Sequence, residues 1–182
     1  MYTIRKNVFE TNSSSTHAIS FITEFDLGKL PHYVSFHLDS FGWESRYVNG
    51  LDYLYTAIVV YYDHDEAEEK INHLKQLMDE HDIEYKFYPE FNKINPRDGE
   101  SYYIDHASDL GEFLEAMEND TNLLRFLASG EVYTTNDNCD HDDVDDPYNE
   151  GFKTVYDYSR AENKYIDNPN FDPTRTYFYK GN

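Results

Sequence analysis

The stretch LDYLYTAIVVYY, residues 51–62, decides the fold of this chain. Its large apolar residues recur at the i, i+3, i+4, i+7, i+8 and i+11 positions that make one face of an α-helix. These residues are Leu51, Leu54, Tyr55, Ile58, Val59 and Tyr62. The spacing predicts an amphipathic helix that packs one apolar side against the core.

A second helix is predicted to follow over residues 63–81. Asp63 and Glu66 have the spacing of a capping pair at a helix start. The predicted buried stripe consists of Ile71, Leu74, Leu77 and Met78. Two further helices are indicated downstream, because Leu110, Phe113, Leu114 and Met117 share one helical face and Thr121 is placed to cap a short helix over 122–128 that stops at Gly130.

Alternating apolar and polar residues predict strands around these helices. The predicted strands are 2–9, 17–22, 32–38, 84–88, 102–106 and 131–135, with two aromatic-rich segments at 152–158 and 174–180 that form a late hairpin or add to sheet edges. This order predicts an α+β fold, a mostly antiparallel sheet with about four helices packed on one side. We expect one domain over 1–182, in which 147–182 is a strand-rich extension of the same sheet.

The composition limits the partners that this chain can bind. Its formal net charge is −21, from 36 acidic and 15 basic residues. Nucleic-acid phosphates and anionic membranes attract lysine and arginine, so direct binding to either is disfavoured. The single cysteine cannot form an internal disulfide and fits a reducing compartment, and the first residues lack the apolar segment of a signal peptide. We therefore expect a cytoplasmic protein.

The run EVYTTNDNCDHDDVDDPYNE, residues 131–150, is the main candidate for function. It holds eight acidic residues, no basic residue, and the only cysteine, Cys139, two positions before His141. Because like charges repel, this run is expected to bind a cation or a basic partner.

A metal site is one interpretation of this run. Thiolate, imidazole and carboxylate groups suit Zn²⁺. The predicted ligands are Cys139, His141, Asp137 and Asp140, joined by His17 from elsewhere in the chain. The oxygens of 136–143 would also suit Ca²⁺ or Mg²⁺, although an EF-hand glycine and closing glutamate are missing. The alternative is a solvated acidic loop in which the cysteine and histidine are incidental.

Three motifs connect the chain to known proteins: FETNSSSTH at 9–17, FGWE at 41–44 and YLYTAI at 53–58. They resemble a family of small, acidic phage and prophage proteins, closely over about the first third of the chain. Among characterised proteins the chain is similar to a phage anti-CRISPR, an acidic, zinc-containing inhibitor of the type II RNA-guided nuclease. The resemblance implies binding to the recognition lobe of that nuclease, which keeps target DNA from loading in the bacterial cytoplasm.

Together these observations predict a non-enzymatic inhibitor of a CRISPR effector nuclease, or of another basic nucleic-acid-handling protein. The predicted contacts are Asp140, Asp142, Asp143, Asp145 and Asp146, helped by Glu66, Glu68 and Glu69. The metal would then hold the loop in shape. The alternative function is a metal-dependent hydrolase of nucleotides or signalling molecules, in which Asp137, Asp140 and His141 hold a catalytic ion with an open coordination position.

Overall fold

The computed structural model describes residues 17–42, 46–94, 102–105, 107–134, 156–159, 164–167 and 171–180. The helices in these ranges are α1 (Gly50–Tyr61), α2 (His64–Glu80), α3 (Gly111–Met117) and α4 (Asp120–Ser129). The strands are β1 (His17–Ile22), β2 (Tyr33–His37), β3 (Ser40–Phe41), β4 (Arg46–Asn49), β5 (Glu84–Tyr88), β6 (Tyr103–Ile104), β7 (Glu131–Thr134), β8 (Tyr156–Ser159), β9 (Lys164–Asp167) and β10 (Arg175–Lys180). The predicted α+β class is confirmed.

The main sheet has four antiparallel strands in the order β10–β1–β7–β4. In the centre of this sheet Ile19 lies opposite Phe178 of β10 on one side and Val132 of β7 on the other. The Phe178 ring packs against the ring of Phe113 in α3, with 5.9 Å between the ring centroids. This face of the sheet is therefore the one that the helices cover.

The pairing is mostly antiparallel, as predicted, and two strand pairs are parallel. They are β2 with β5 and β3 with β6. Parallel neighbours need a crossover connection, and both α1 and α2 lie in the connection between β2 and β5. Of the two alternatives for the late segments, addition to a sheet edge is the one that β10 adopts, while β8 forms an antiparallel pair with β9. The predicted strand at 2–9 lies outside the described residues.

The helix α1 is buried on nearly all sides, so the prediction of a single apolar face is wrong. Tyr53, Thr56 and Ala57 lie outside the predicted stripe and are fully buried, whereas Leu51 and Val59 within it are only half-buried. The helix contacts α2 and α4 as well as β2, β4, β6 and β7. A helix surrounded by other elements has no solvated face, and a pattern of apolar and polar residues then understates its burial.

Polar side chains of α1 fix the corner between β2 and β3. The Asp52 carboxylate accepts a hydrogen bond from the backbone N–H of His37 at 2.7 Å. One turn later the Thr56 hydroxyl accepts from the backbone N–H of Asp39 at 3.2 Å. These bonds satisfy backbone donors that the parallel pairing leaves free on this side of β2.

The start of α1 and the end of α4 approach each other through two glycines. A Cβ atom built on Gly50 would lie 2.6 Å from the carbonyl oxygen of Gly130 and 3.4 Å from the ring of Phe126. Only a hydrogen atom fits in that space. Gly130 also ends α4, as predicted, and its N–H donates to the Phe126 carbonyl at 2.7 Å.

The cap of α4 differs from the prediction. The side chain of Asn119, and not that of Thr121, accepts the capping hydrogen bond, from the backbone N–H of Asn122 at 3.1 Å. Asparagine and threonine are both good N-cap residues, and they lie two positions apart here. The sequence pattern alone therefore could not distinguish them.

Arg175 of β10 joins β1, β7 and the end of α4. Its side chain is only 6% exposed. The guanidinium donates to the hydroxyl and carbonyl oxygens of Ser20 at 3.0 and 3.2 Å and to the carbonyl oxygen of Ser129 at 2.7 Å, and it lies 3.4 Å from the Glu131 carboxylate. A planar guanidinium with five donors suits this use, which a lysine could not reproduce.

Buried apolar side chains from all four helices and from β1, β2, β5 and β7 form one core cluster. The largest fully buried members are aromatic, namely Tyr53, Tyr55, Phe21, Phe36, Phe113 and Phe126. Among the helices of the described ranges, none combines the length and apolar character that a membrane span requires.

Candidate acidic interface

The helix α2 carries a dense group of acidic residues, most of them in its first two turns. Its first turn is capped by Asp63, whose carboxylate accepts hydrogen bonds from the N–H groups of Asp65 and Glu66, both at 3.0 Å. This confirms the predicted start of the helix. Carboxylates near a helix N-terminus are stabilised by the helix dipole, so α2 tolerates a dense negative charge there.

The three glutamates predicted to contact a partner are all exposed on α2, but they do not form one patch. Glu68 lines a groove beside β5, whereas Glu69 lines a cavity on the opposite flank, beside α3. Glu66 lies three positions before Glu69 and is therefore its neighbour on the helix surface. The other predicted contacts, Asp140, Asp142, Asp143, Asp145 and Asp146, lie outside the described residues.

Two acidic residues of the α3–α4 junction face the Glu66 and Glu69 flank of α2. The Lys70 ammonium lies 2.6 Å from the Glu118 carboxylate, and Nε2 of His73 lies 2.9 Å from Oδ1 of Asp120. The second contact is within ion-pair distance but does not have hydrogen-bond geometry. We call the group Glu66, Glu69, Glu118 and Asp120, with Lys70 and His73 among them, the α2–α4 acidic cluster.

The lysine in this cluster is neutralised by its neighbours. Its hydrogen bond to Glu118 raises the pKa of Lys70, against the opposing effect of partial burial, and the nearby Glu69 raises it further. The same hydrogen bond lowers the pKa of the Glu118 carboxyl. Both groups are therefore charged at neutral pH and offset each other. The remaining carboxylates give the surface its negative potential.

A small apolar cavity opens within the α2–α4 acidic cluster. Its volume is about 230 Å³, and Tyr62, Glu69, Lys70, His73 and Glu118 form its polar rim. The apolar lining consists of Leu54, Ile58, Leu74, Leu114, Met117 and Leu123. An apolar recess within a charged rim is the usual anatomy of a protein interface, where one side chain of the partner fills the recess.

His17, the predicted fifth metal ligand, lies in the core. It is fully buried, and its Nδ1 lies 2.7 Å from the hydroxyl of Tyr53 in α1. The contact ties the central strand of the main sheet to the central helix. The other predicted ligands, Cys139, His141, Asp137 and Asp140, lie outside the described residues, so the zinc site and the hydrolase stay predictions. Within the described ranges, no three His, Cys, Asp or Glu side chains converge in a way that could hold a metal ion.

We expect the Tyr53 hydroxyl to make folding sensitive to alkaline pH. Burial raises the pKa of Tyr53 well above its ordinary value of 10.0. Above about pH 10 the unfolded chain therefore loses the Tyr53 proton, whereas the folded chain keeps it. The contribution of Tyr53 to the free energy of unfolding is constant below that pH. It falls as pH rises, by up to about 1.4 kcal/mol per pH unit. Urea unfolding between about pH 9 and about pH 11.5 should show a shallower fall in Tyr53→Phe.

The matched control for this prediction is Tyr47→Phe, because Tyr47 is 54% exposed. This variant should follow the pH profile of the unmodified protein. If the free energy of unfolding falls with pH equally steeply in the Tyr53→Phe variant and in the unmodified protein, the Tyr53 hydroxyl is not the cause of the alkaline loss of stability.

Sequence reasoning missed half of the α2–α4 acidic cluster. The positions 66, 69, 70 and 73 share one flank of α2 by their spacing, so the sequence is sufficient to predict that they are neighbours. The sequence does not predict that Glu118 and Asp120 lie beside them, because only the packing of α3 and α4 against α2 brings these two residues to that flank.

Comparison with protein-family models, with characterised proteins and with solved structures finds no match to this chain. The candidate interface therefore rests on charge and geometry.

Proposed function

We propose that this protein is an inhibitor that covers a basic, nucleic-acid-binding surface of another protein with its α2–α4 acidic cluster. The observation that supports the proposal best is the apolar cavity that opens among the carboxylates of this cluster, where the nearby cation Lys70 is already paired with Glu118. Carboxylates steer the protein to a positive surface, and an apolar recess adds short-range affinity that charge alone does not supply. Charged rims of this kind set the rate of association and the choice of partner.

The type II RNA-guided nuclease is the partner that the sequence resemblance suggests. It holds its RNA–DNA heteroduplex in a positively charged channel. A protein of net charge −21 would compete with DNA for such a channel. The inhibitor would then act in the cytoplasm of the bacterial host, where that nuclease meets invading DNA. The acidic residues of 131–150 contribute to that net charge.

The proposal is tested by the order in which DNA and inhibitor are added. When the guide-loaded nuclease is first mixed with a saturating amount of this protein, we expect binding of fluorescent target DNA to be lost. When DNA is already bound, we expect little displacement, because the same surface is occupied. Undiminished DNA loading after preincubation would refute the proposal.

The affinity should also depend strongly on salt. The Debye length is about 10 Å at about 0.1 M salt and falls to about 3 Å at 1 M. We therefore expect the dissociation constant for the guide-loaded nuclease to rise on the order of tenfold or more between about 0.1 M and about 0.5 M salt, measured by biolayer interferometry. An affinity that is independent of salt would contradict an acidic interface.

A further inference from the structure

The strand β5 has one open edge. Its only sheet partner among the described strands is β2. The parallel register pairs Val34 with Tyr85 and Phe36 with Phe87. At the two ends of the pair, the N–H of Glu84 donates to the His32 carbonyl at 2.9 Å, and the Tyr88 carbonyl accepts from the N–H of Leu38 at 3.0 Å. The other side of β5 is therefore not part of a described sheet.

The register determines which backbone groups face the open edge. In a parallel pair, every second residue of a strand directs both its N–H and its C=O to the neighbour. The end bonds show that residues 84, 86 and 88 of β5 face β2. Tyr85 and Phe87 therefore direct their N–H and C=O groups away from it. Within the described residues, no hydrogen bond to these four groups is present.

A groove runs along this open edge. It has a volume of about 600 Å³ and lies between β5 and one flank of α2. The residues Glu68, Ile71, Asn72 and Lys75 line the α2 side, the consecutive residues Tyr85, Lys86, Phe87 and Tyr88 line the strand side, and Glu90, Phe91 and Asn92 close one end. Successive side chains of a strand point to opposite faces of the sheet. Because consecutive residues of β5 line the groove, the groove lies along the backbone edge of β5. An added strand would lie about 4.8 Å from β5, within this space.

The charged residues of the groove lining balance each other, with Glu68 and Glu90 against Lys75 and the exposed Lys86. The Lys75 ammonium lies 5.5 Å over the Phe87 ring, and Lys93 pairs with Glu90 at 3.2 Å. The preference for a basic occupant therefore comes from the net charge of −21 on the whole chain. The carboxylate of Glu68 lines the groove, and Glu84 is exposed at the start of β5. A second copy of this chain would bring another net charge of −21 to the same place, which repels.

We propose that the open edge of β5 binds an extended, basic peptide segment of a partner protein by strand addition. The backbone of the segment would exchange hydrogen bonds with Tyr85 and Phe87, and alternate side chains would enter the groove. This site is separate from the α2–α4 acidic cluster, which lies on the other flank of α2. It would therefore bind a peptide whether or not the cluster inhibits a nuclease.

The test uses amide hydrogen exchange with a defined probe, the synthetic peptide KVKVKVKVK. In the free protein, the amides of Tyr85 and Phe87 should exchange rapidly, while that of Lys86 is protected by β2. With saturating peptide, we expect exchange at Tyr85 and Phe87 to slow by at least about tenfold, and exchange at Lys86 to stay unchanged. The same peptide with every backbone nitrogen methylated keeps its charge but has no N–H donor, and it should give no protection.

Variants on α2 provide the second measurement. Asn72→Trp would fill the groove from an exposed position and should weaken binding of the peptide at least about tenfold. Gln76→Trp places the same side chain one turn further along α2, outside the groove, and should bind normally. The double variant Glu66→Lys/Glu69→Lys should also bind the peptide. Three results would each overturn the proposal. The first is that saturating peptide leaves exchange at Tyr85 and Phe87 unchanged, and the second is that the methylated peptide protects them as well as the unmodified peptide does. The third is that the two tryptophan variants bind the peptide with equal affinity.

Discussion

The double variant Glu66→Lys/Glu69→Lys should bind the guide-loaded nuclease roughly 100-fold more weakly than the unmodified protein at about 0.1 M salt. Both side chains are exposed on the α2–α4 acidic cluster, and neither takes part in the Lys70–Glu118 or His73–Asp120 contact. Reversal therefore changes the charge of the surface and leaves its internal pairs intact. Charge pairs across protein interfaces contribute about 1.5 kcal/mol or more each, so two reversals are expected to cost about 3 kcal/mol of binding free energy.

The matched control changes the net charge by the same amount elsewhere. Glu24 and Asp39 are exposed residues outside the cluster, and Glu24→Lys/Asp39→Lys should keep affinity within about threefold. Equal weakening by both double variants would mean that only the total charge matters. The α2–α4 acidic cluster would then lose its assignment as the interface. Circular dichroism and thermal unfolding of both variants would show that the fold is retained.

Gly50→Ala should destabilise the protein by about 2–4 kcal/mol. The added methyl group would lie 2.6 Å from the carbonyl oxygen of Gly130, a backbone atom that cannot rotate away. The first turn of α1 would have to separate from the end of α4. Helix propensity alone predicts the opposite sign, since alanine is favoured over glycine in a helix by up to about 1 kcal/mol. The sign of the change therefore distinguishes the two effects.

Gly28→Ala is the matched control for this substitution. A Cβ atom there would meet the Asp26 carboxylate at 3.2 Å, which is the end of a flexible side chain. We expect a change within about 0.5 kcal/mol. Urea unfolding of both variants measures the difference in free energy. Equal stability of Gly50→Ala and the unmodified protein would show that the approach of the two glycines is looser than described.

Most helices and strands could be predicted from the sequence, because each depends mainly on the pattern of residues within its own segment. The predicted α2 start at Asp63, the strand 84–88 and the strand 17–22 all agree with the structure. What it did not predict are relations between distant segments. The parallel pairing of β2 with β5 depends on how α1 and α2 cross between them, and no local pattern carries that information.

The burial of α1 illustrates the same limit. Tyr53 and Thr56 fall outside its periodic apolar stripe, yet both are completely buried. The hydroxyl of Tyr53 is satisfied in the core by His17, which lies 36 positions away in the sequence. The hydroxyl of Thr56 accepts a hydrogen bond from the backbone N–H of Asp39. Polar groups that are satisfied by distant partners cannot be recognised from helical spacing.

The candidate site was predicted in part for a related reason. The acidity of α2 is a property of composition, so Glu66, Glu68 and Glu69 were available from the sequence. Their division between two flanks follows from which neighbours pack beside α2, namely β5 on one flank and α3 on the other. The open edge of β5 depends on sheet order and could not be inferred from residue types.

The pairing of β1 with β10 has a consequence for synthesis on the ribosome. Ser20 and its partner Arg175 are 155 positions apart, so at 5–20 residues per second roughly 8–30 s separate the appearance of the two strands. β7 appears first, so during only the last 41 positions before Arg175, roughly 2–8 s, β1 can pair with β7 but not with β10. The nascent chain therefore presents a second, temporary strand edge, which is a site for wrong pairing with another chain. Arrest-peptide force measurements should detect a late folding step only after β10 has left the exit tunnel.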